Sequence, residues 1–402
     1  MERSRTIWDM GTLPFHVGPL ARREGRAFPA RLPFRVGFDD ALGLITQVHD
    51  THTLDVLRQV YAAGSQLGIP MADQGLGKAY ADGFQEAIEH WLGDRLRGAA
   101  LLEIGCGTGH LLAALAEAGA AAEGVEPDPR CRAAMQRQGI PVTTAEFEDF
   151  RAPHVYNCIV HYCVLEHAVD PAAFLEAQRA LLAPGGRIIL AVPDCGAAIA
   201  QGDISIFIHQ HWSYFSDDSL RRLAGAAGLQ VLSLQPAAVG GLLYAELGAL
   251  DTASAASTAP VSEGPEHVDG DSEGAAAAQA AAFVERARHA VHRFVGYVTD
   301  TVAGGRTLGI YCPSRAINYV PEDDSVWRGI RLFDDAPALR GMYMPPFVSA
   351  VENRDSLASN PVDEVLIMSR AFGAAIETAI EAQPMTPRPR VRQIDEVLSD
   401  GR

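Results

Sequence analysis

The chain of 402 residues has few cysteines, and none of them stands in a pattern that builds structure. No two form a CxxC pair or follow the spacing of metal ligands, which redox motifs and zinc sites require. The six are Cys106, Cys131, Cys158, Cys163, Cys195 and Cys312. We therefore expect small, reduced, mostly buried thiols. Neither a disulfide framework nor a metal is predicted.

Long apolar runs are also missing. Nowhere does the sequence contain about eighteen consecutive apolar residues, the length that a helix needs to cross a bilayer. The first residues, MERSRTIWDMGTLPFHVG, lack the apolar core of a signal peptide. These absences predict a soluble, cytoplasmic protein with no membrane partner.

Positive charge is scarce. Lysine and arginine number 33 against 50 aspartates and glutamates, which gives a formal net charge of −17. A nucleic-acid partner is disfavoured, because binding to phosphates needs a concentrated basic face. We expect a small-molecule partner instead, and the sequence leaves the oligomeric state open.

The order of apolar segments predicts an α/β fold. After residue 76, segments with strand character alternate with segments of helical periodicity. Strands are predicted at 100–104, 121–126, 156–161 and 187–192, and helices at 109–118, 128–138 and 171–182. This alternation is typical of a doubly wound, Rossmann-like parallel sheet with helices on both faces.

Composition divides the chain into four parts. Residues 1–75 predict a small N-terminal module with short strands, and residues 76–250 hold the alternating core. Residues 251–280 are rich in Ala, Ser, Gly and acidic residues, which predicts a flexible linker, although the alanine run could also begin a helix. Residues 281–402 predict a second, smaller α/β domain.

A glycine-rich loop follows the first core strand in the stretch LLEIGCGTGH. Gly105, Gly107 and Gly109 let the backbone turn sharply and approach a ligand at the strand end. The GxGxG spacing differs from the GxGxxG of dinucleotide-binding loops, and Glu103 would repel a pyrophosphate. The same carboxylate could pair with the amino group of a methionine moiety, and Glu126 could accept from ribose hydroxyls. An NAD-dependent oxidoreductase is therefore disfavoured.

Five segments resemble class I S-adenosylmethionine-dependent methyltransferases: LEIGCGTGH, VEPD, TTAEFEDF, HYCVLEHAVDP and LAPGGRIILAVPD. The resemblance covers about residues 98–250 and implies S-adenosylmethionine as cofactor. By this resemblance Glu126 binds the ribose, Glu146 and Phe147 border the adenine, and His161 and Tyr162 line the strand end near the methionyl group. Glu146 and Phe147 could equally be ordinary loop residues.

Two neighbouring residues of the same region, Glu166 and His167, are interpreted differently. They precede a predicted helix, so we expect them to start and orient it rather than to act in catalysis.

The segment Ile208 to Ser216, IHQHWSYFS, is the best candidate for contact with the acceptor. It follows the last AVPD strand, where side chains can overhang the carboxyl edge of the sheet. Histidine exchanges protons near neutral pH, so either His209 or His211 could be a general base, and we favour His211. Gln210 and Tyr214 are predicted to contact the acceptor. Alternatively, the whole segment packs as a lid over the cofactor.

Together with the C-terminal α/β domain, this segment resembles the sugar C-methyltransferase family. The resemblance implies a zinc-binding N-terminal module, a methyltransferase core and a Rossmann-like C-terminal domain. It also implies methylation of a nucleotide-linked ketosugar through an enolate. Tyr61, in the stretch VYAAGS, resembles a tyrosine that reaches toward cofactor and acceptor in that family, although a buried aromatic side chain is the alternative.

The sequence departs from that family at three places. The N-terminal module has none of the usual cysteines, so no zinc is expected there. The family pattern YHEH reads IHQH, which removes a hydroxyl and a carboxylate close to His211. A glycine-rich turn is replaced by Tyr311-Cys312-Pro313-Ser314-Arg315, where Arg315 could still contact a phosphate.

Three functions therefore stay open at this point. The first is C-methylation of a nucleotide-linked ketosugar with His211 as the base. The second is O-methylation of a hydroxyl on a saccharide or natural product, for which one histidine base is enough. The third is a cofactor-binding protein whose catalytic activity has decayed.

Overall fold

The N-terminal part forms an antiparallel sheet and one helix. The structure is a computed structural model that describes residues 4–22, 27–63, 71, 75–250, 272–322 and 325–399. The elements of this part are β1 (Ser4–Pro14), β2 (Arg31–Asp39), β3 (Leu44–Gln47) and α1 (Thr51–Ala63). In β2, the apolar side chains of Leu32, Phe34, Val36 and Phe38 alternate with more exposed ones and are buried, as the period of a strand requires.

The core is built on a seven-stranded sheet with strand order β10-β11-β8-β7-β4-β5-β6. Its strands are β4 (Ala100–Ile104), β5 (Ala121–Val125), β6 (Val142–Thr143), β7 (Tyr156–Tyr162), β8 (Leu182–Pro193), β10 (Leu229–Pro236) and β11 (Leu242–Ala249). Its helices are α2 (Gly75–Leu92), α3 (His110–Glu117), α4 (Pro129–Gln136), α5 (Pro171–Ala180), α6 (Gly196–Gln201) and α7 (Asp217–Ala226). The predicted α/β, Rossmann-like fold is confirmed.

The sheet departs from a purely parallel arrangement at one edge. Strands β4 to β8 pair in parallel, whereas β11 runs antiparallel to both β8 and β10. The chain reverses between β10 and β11 at Gly240 and Gly241, whose φ angles of +94° and +66° suit glycine. The apolar stretch from Leu229 to Leu247 is therefore a hairpin.

A short strand, β9 (Ser213–Tyr214), leaves the core and joins the N-terminal sheet, whose order is β1-β2-β3-β9. It pairs antiparallel with β3, so that Ile45 lies opposite Tyr214 and Thr46 opposite Ser213. The segment predicted to contact the acceptor is thereby fixed between two parts of the molecule.

The C-terminal part is a five-stranded sheet of order β14-β13-β12-β15-β16, paired in parallel throughout. Its strands are β12 (Leu308–Tyr311), β13 (Arg331–Phe333), β14 (Val351–Glu352), β15 (Glu364–Ile367) and β16 (Arg390–Gln393). Its helices are α8 (Ser272–Ala303), α9 (Ser356–Ser359), α10 (Gly373–Glu381) and α11 (Ile394–Leu398).

Helix α8 begins earlier than the sequence predicts. Residues 272–280, assigned to the linker, form its first turns, because alanine has the highest helix propensity and Ala280 is buried. Residues 251–271 of the predicted linker lie outside the described residues. Farther along, Phe283 and Phe294 of α8 are buried in one apolar cluster with residues of the N-terminal and C-terminal sheets. This helix therefore joins all three parts of the chain.

Candidate active site

The glycine loop connects β4 to α3 at the carboxyl edge of the core sheet. Gly105, Gly107 and Gly109 have φ angles of +69°, +53° and +78°, a region that other residues rarely adopt. A Cβ on Gly105 would lie 2.7 Å from the Val164 side chain, and one on Gly109 would lie 2.1 Å from the Met135 sulfur. Backbone shape therefore favours glycine at all three positions, and packing also requires it at Gly105 and Gly109.

Glu126 lies directly after β5 and is held against this loop. One carboxylate oxygen accepts from the Gly107 N–H at 2.9 Å, and the other accepts from the Asp128 N–H at 3.0 Å. Because β4 and β5 are parallel neighbours, both strand ends meet at the same edge. The sequence predicts this juxtaposition correctly from spacing alone.

Glu103 lies inside β4 and is only 3% exposed. Its Oε2 atom has no hydrogen-bond partner within the described residues. Burial, together with the neighbouring Cys131 and Glu126, raises the pKa of this carboxyl to about 8. An ionised carboxylate at this position needs a donor or a cation beside it.

Glu146 and Phe147 lie in different surroundings. Glu146 is exposed as a whole residue, but partial desolvation of its carboxyl group and the charges of Glu148 and Glu126 raise its pKa. The Phe147 ring packs edge to face on Phe174, with ring centroids 5.1 Å apart, and belongs to the core. Packing of this ring in the core favours the alternative that Phe147 is an ordinary loop residue, and the border of the adenine stays a prediction.

His161 and Tyr162 point to opposite faces of β7, as successive residues of a strand do. His161 is fully buried with its ring 5.7 Å from Phe174, and burial lowers its pKa to about 3. The prediction that it lines the strand end is wrong, because its side chain faces the interior. Tyr162 is half-buried with its ring 5.4 Å from Phe84.

The segment before β9 is held by backbone hydrogen bonds on two sides. The Trp212 N–H donates to the Glu166 carbonyl at 2.7 Å, and the Trp212 carbonyl accepts from the Gln47 N–H at 3.0 Å. The His167 Nδ1 atom lies 2.9 Å from the Gln210 carbonyl. Because a carbonyl only accepts, this nitrogen carries the proton and Nε2 is left with a lone pair.

These bonds bring His211 beside two residues that follow β7. A ring nitrogen of His211, a ring nitrogen of His167 and a carboxylate oxygen of Glu166 all lie within 4.8 Å of one another. The two imidazole rings are 4.8 Å apart and nearly perpendicular. We call these three residues the His-His-Glu group.

Burial governs the protonation of this group. It lowers the pKa of His211 well below the ordinary value, and the charge of Arg315, joined by that of His167 whenever this ring is protonated, acts in the same direction. Burial also lowers the pKa of His167, and it raises the pKa of Glu166 to about 8. Near neutral pH both imidazoles are therefore uncharged, and a neutral imidazole can accept a proton.

Two imidazoles and a carboxylate are also donors that divalent transition metals accept. In the described part of the chain, the His-His-Glu group is the only set of three such side chains with ligand atoms this close. The sequence does not indicate it, because Glu166 and His167 are separated from His211 by more than forty positions. Their place just after a core strand is the one signal that could have marked them.

Three other residues of the predicted acceptor segment are structural. His209 is 4% exposed, its ring lies 5.3 Å from Phe15 and 5.1 Å from Phe34, and burial lowers its pKa to about 4. Gln210 is 1% exposed. The Tyr214 hydroxyl donates to backbone carbonyls, 3.1 Å from that of Ile208. The predicted roles of these three in base catalysis and acceptor contact are wrong, since their side chains are packed inside.

Arg315 reaches the same region from the C-terminal domain. It is exposed in a short 3-10 helix, Pro313–Tyr319, that follows β12. Its charge acts on both His211 and Tyr80. At the start of this turn Cys312 has a φ of +59°, so a non-glycine residue adopts the left-handed conformation there. Tyr61 lies in α1, but its side chain is outside the described residues.

Comparisons with known proteins identify the core. Residues 77–234 match the family model of a methyltransferase domain. The ubiquinone biosynthesis O-methyltransferase of Aeromonas salmonicida is 30% identical over 178 residues, which cover 39% of this chain and 73% of that protein. The protein of the same name from Cereibacter sphaeroides is 36% identical over 101 residues, or 23% of this chain and 40% of that one. The chain thus spans less than half the length of this second relative.

Solved structures give weaker likenesses. Magnesium protoporphyrin IX methyltransferase of Synechocystis PCC 6803, with bound S-adenosylhomocysteine, is 16% identical at a TM-score of 0.37, covering 49% of this chain and 94% of that one. The 1,6-didemethyltoxoflavin-N1-methyltransferase of Burkholderia thailandensis is 18% identical at a TM-score of 0.38, covering 51% and 93%.

The matched region contains the five parallel strands β4 to β8 and most of β10, with the glycine loop, Glu126 and the His-His-Glu group. No helix among the described residues combines the length and apolar character needed to span a membrane. The match to the family model, together with a relative covered over most of its length, decides the family. The chain belongs to the class I S-adenosylmethionine-dependent methyltransferases.

Proposed function

We propose that this methyltransferase acts on a small-molecule acceptor that loses a proton to His211. The observation that carries the proposal is the position of the His-His-Glu group. Val164, two residues before Glu166, touches Gly105 of the glycine loop. The group that can exchange protons therefore lies next to the loop that carries the cofactor residues.

The residues of the loop fit S-adenosylmethionine, which supplies a methyl group already activated on a sulfonium. The carboxylate of Glu126, oriented by two backbone amides, would accept from the ribose hydroxyls. The buried and unpartnered Oε2 of Glu103 would accept from the ammonium of the methionyl group, which would keep that carboxyl ionised. Gly107 has no atom within 4 Å of the position of a Cβ, which leaves open space for a ligand beside the backbone.

His211 has the properties of a general base for this reaction. Its imidazole is neutral near neutral pH, so it can take a proton from the acceptor as the nucleophile forms. Methyl transfer is an in-line displacement, and the remaining task of the protein is to align nucleophile and methyl. His211 is suited to alignment because its backbone N–H donates to the Ile208 carbonyl at 2.9 Å and its segment is anchored by β9.

The favoured acceptor is the carbon beside the keto group of a nucleotide-linked sugar. Arg315 supports this choice, because an exposed guanidinium whose charge reaches His211 could bind a phosphate of such an acceptor. The choice of a nucleotide-linked acceptor is also supported by the second α/β domain, which contributes Arg315 to the edge of the core site. The enolate formed by proton loss would attack the methyl carbon.

O-methylation of a saccharide or natural-product hydroxyl is the second candidate. The two relatives compared above are both named O-methyltransferases. A deuterium-exchange experiment separates the two reactions. A ketosugar incubated with the enzyme in deuterium oxide without cofactor should exchange the proton beside its keto group if an enolate forms, and should not if the enzyme methylates oxygen.

Turnover tests the base itself. The purified protein is incubated with methyl-labelled S-adenosylmethionine and a panel of nucleotide-linked ketosugars, and transfer is compared between the wild type, His211→Ala and the exposed-site control His154→Ala. We expect His211→Ala to lose transfer while its affinity for S-adenosylhomocysteine stays unchanged. Full transfer by His211→Ala would remove His211 from the mechanism, and an absence of transfer by the wild type to any acceptor would favour a decayed, cofactor-binding protein.

A further inference from the structure

Two thiols that are far apart in sequence meet under the glycine loop. Cys106 stands between Gly105 and Gly107, and Cys131 lies in the first turn of α4. Their sulfur atoms are 3.5 Å apart, and the two side chains are 5% and 4% exposed. Neither thiol is bonded to another cysteine. The sequence does not predict this pair, because the two residues belong to no CxxC motif.

The packing around the pair couples it to the cofactor loop. The Cys106 sulfur lies against Gly124 of β5, where an added Cβ would come within 2.7 Å of it. Helix α4, which carries Cys131, also places Met135 against Gly109. Closing the distance between the two packed sulfurs therefore presses on the loop and on α4.

We propose that Cys106 and Cys131 form a reversible disulfide that weakens binding of S-adenosylmethionine. A disulfide requires sulfur atoms about 2.05 Å apart, so that the present gap must close by roughly 1.5 Å. The adjacent Gly107 N–H donates to Glu126 at 2.9 Å, and movement of Cys106 disturbs this hydrogen bond first. The carboxylate that we assign to the ribose would then lose its orientation.

The chemistry needs a two-electron oxidant, and a peroxide is small enough for thiols that are this buried. The Cys131 thiolate attacks one oxygen of hydrogen peroxide, the O–O bond breaks, and a sulfenic acid and hydroxide form. The Cys106 sulfur then attacks the Cys131 sulfur, the S–O bond breaks, and water leaves. Two thiols are oxidised to one disulfide, while one peroxide takes both thiol protons and is reduced to two waters.

The order of the two thiols follows from their hydrogen bond. The two sulfurs, 3.5 Å apart, share a hydrogen bond, which lowers the pKa of Cys131 and raises the pKa of Cys106. The thiolate is the nucleophile in such reactions, so Cys131 reacts with the peroxide and Cys106 resolves the product.

Calorimetry with S-adenosylhomocysteine tests the proposal without any acceptor. The full chain is titrated in the reduced state, after hydrogen peroxide, and after subsequent dithiothreitol, and peptide mass mapping locates any disulfide. We expect a Cys106–Cys131 crosslink, an affinity about tenfold weaker after oxidation, and recovery with dithiothreitol. Cys131→Ser and Cys131→Ala should each bind S-adenosylhomocysteine with the same affinity before and after peroxide. The control Cys312→Ser should lose affinity after peroxide as the wild type does.

Three results would overturn the proposal. One is oxidation of the half-buried Cys163 or Cys312 with no crosslink between Cys106 and Cys131 in the wild type. Another is a complete crosslink with unchanged affinity for S-adenosylhomocysteine. The third is a loss of this affinity after peroxide that is as large in Cys131→Ser as in the wild type. Since only cofactor binding is measured, failure of the proposed acceptor chemistry does not affect this test.

Discussion

Burial determines the protonation state of the His211 imidazole, and the pairing of β9 with β3 holds its segment in position. Burial, with the charge of Arg315, lowers its pKa well below 6.5, so the imidazole stays neutral until the pH falls below that lowered value. A neutral base is competent, and a protonated one is not. Methyl transfer should therefore persist on acidification past pH 6.5 and decline only farther down.

The dependence of kcat on pH at saturating cofactor checks this expectation. Affinity for S-adenosylhomocysteine, measured at each pH, controls for damage to the cofactor site. An acidic decline centred at or above pH 6.5 would contradict the assignment of His211 as a buried neutral base.

A second experiment on single residues distinguishes two roles for the His-His-Glu group, proton exchange and metal binding. If its imidazoles exchange protons with the acceptor, a metal is not needed, and dialysis against a chelator should leave the rate of methyl transfer unchanged. A rate that falls on chelation and returns with one divalent cation, but not in Glu166→Gln, would instead make these side chains metal ligands.

Glu126 gives a prediction for cofactor affinity. Its carboxylate accepts from two amides and, in our proposal, from the ribose. Hydrogen bonds to a charged group contribute about 1.5–3 kcal/mol, so Glu126→Gln should weaken binding of S-adenosylhomocysteine by roughly ten- to a hundredfold. Calorimetry measures the change, with Glu117→Gln, an exposed carboxylate on α3, as the control. Equal affinities in the two variants would place the ribose elsewhere.

The sequence predicts the cofactor residues better than the residues of the acceptor side. Gly105, Gly107, Gly109 and Glu126 follow two neighbouring strands, so local spacing is enough to place them together. The approach of His211 to Glu166 depends on a pairing between β9 and β3 that joins residues more than 160 positions apart. A two-residue strand has no periodicity from which such a pairing could be predicted.

At the scale of elements, Gly109 connects the glycine loop to α4. An alanine at this position would meet two penalties, a left-handed φ of +78° and contact with Met135. Gly98 offers a matched control, because its φ is +76° but no atom lies within 4 Å of the position of a Cβ. Both variants should lose stability from backbone strain of about 1–2 kcal/mol.

Only Gly109→Ala should also weaken binding of S-adenosylhomocysteine, since a displaced Met135 moves α4 away from the loop. Thermal unfolding gives the first comparison and calorimetry the second. If Gly98→Ala reduced the affinity as much as Gly109→Ala, packing on Met135 would not be what holds the loop.

The long elements were easier to predict than their ends and turns. Strand β4 has its predicted bounds, and α8 differs at its start because the alanine run 275–278 is helical. The edge hairpin of β10 and β11 does not follow from its apolar residues, because apolar residues alone do not show the direction of a strand.

At the scale of the whole molecule, a buried carboxylate joins the core to the C-terminal domain. Asp203, just after α6, accepts from the Tyr319 hydroxyl at 2.6 Å and from the Arg370 guanidinium. Arg370 in turn donates to the Gln201 side chain at 2.6 Å and to Asp395 at 2.7 Å. The aspartate is completely buried, so its charge depends on these partners.

Removal of the Asp203 charge should weaken the contact between the core and the C-terminal domain and lower the free energy of unfolding. Asp203→Asn removes the buried charge that faces Arg370 and leaves that guanidinium with Asp395 as its carboxylate partner, and breaking a buried pair in this way costs up to about 3–5 kcal/mol. Asp40→Asn, which breaks an exposed ion pair with Arg5, should cost less than about 1 kcal/mol. Urea unfolding of the wild type and both variants at neutral pH measures the two losses.

The pH dependence of the stability lost in Asp203→Asn shows whether the loss comes from the missing charge or from a steric misfit of the amide. The partners of Asp203, chiefly Arg370, hold its pKa below the ordinary 3.8 although burial alone would raise it. A carboxyl with a depressed pKa stabilises the folded state above the unfolded value and ceases to do so as the pH falls through the folded value. The difference in stability between wild type and Asp203→Asn should therefore be constant above about pH 5 and shrink below pH 3.8. A difference that stayed constant through this acidic range would show that the amide fails for steric reasons and that the ion pair does not join the domains.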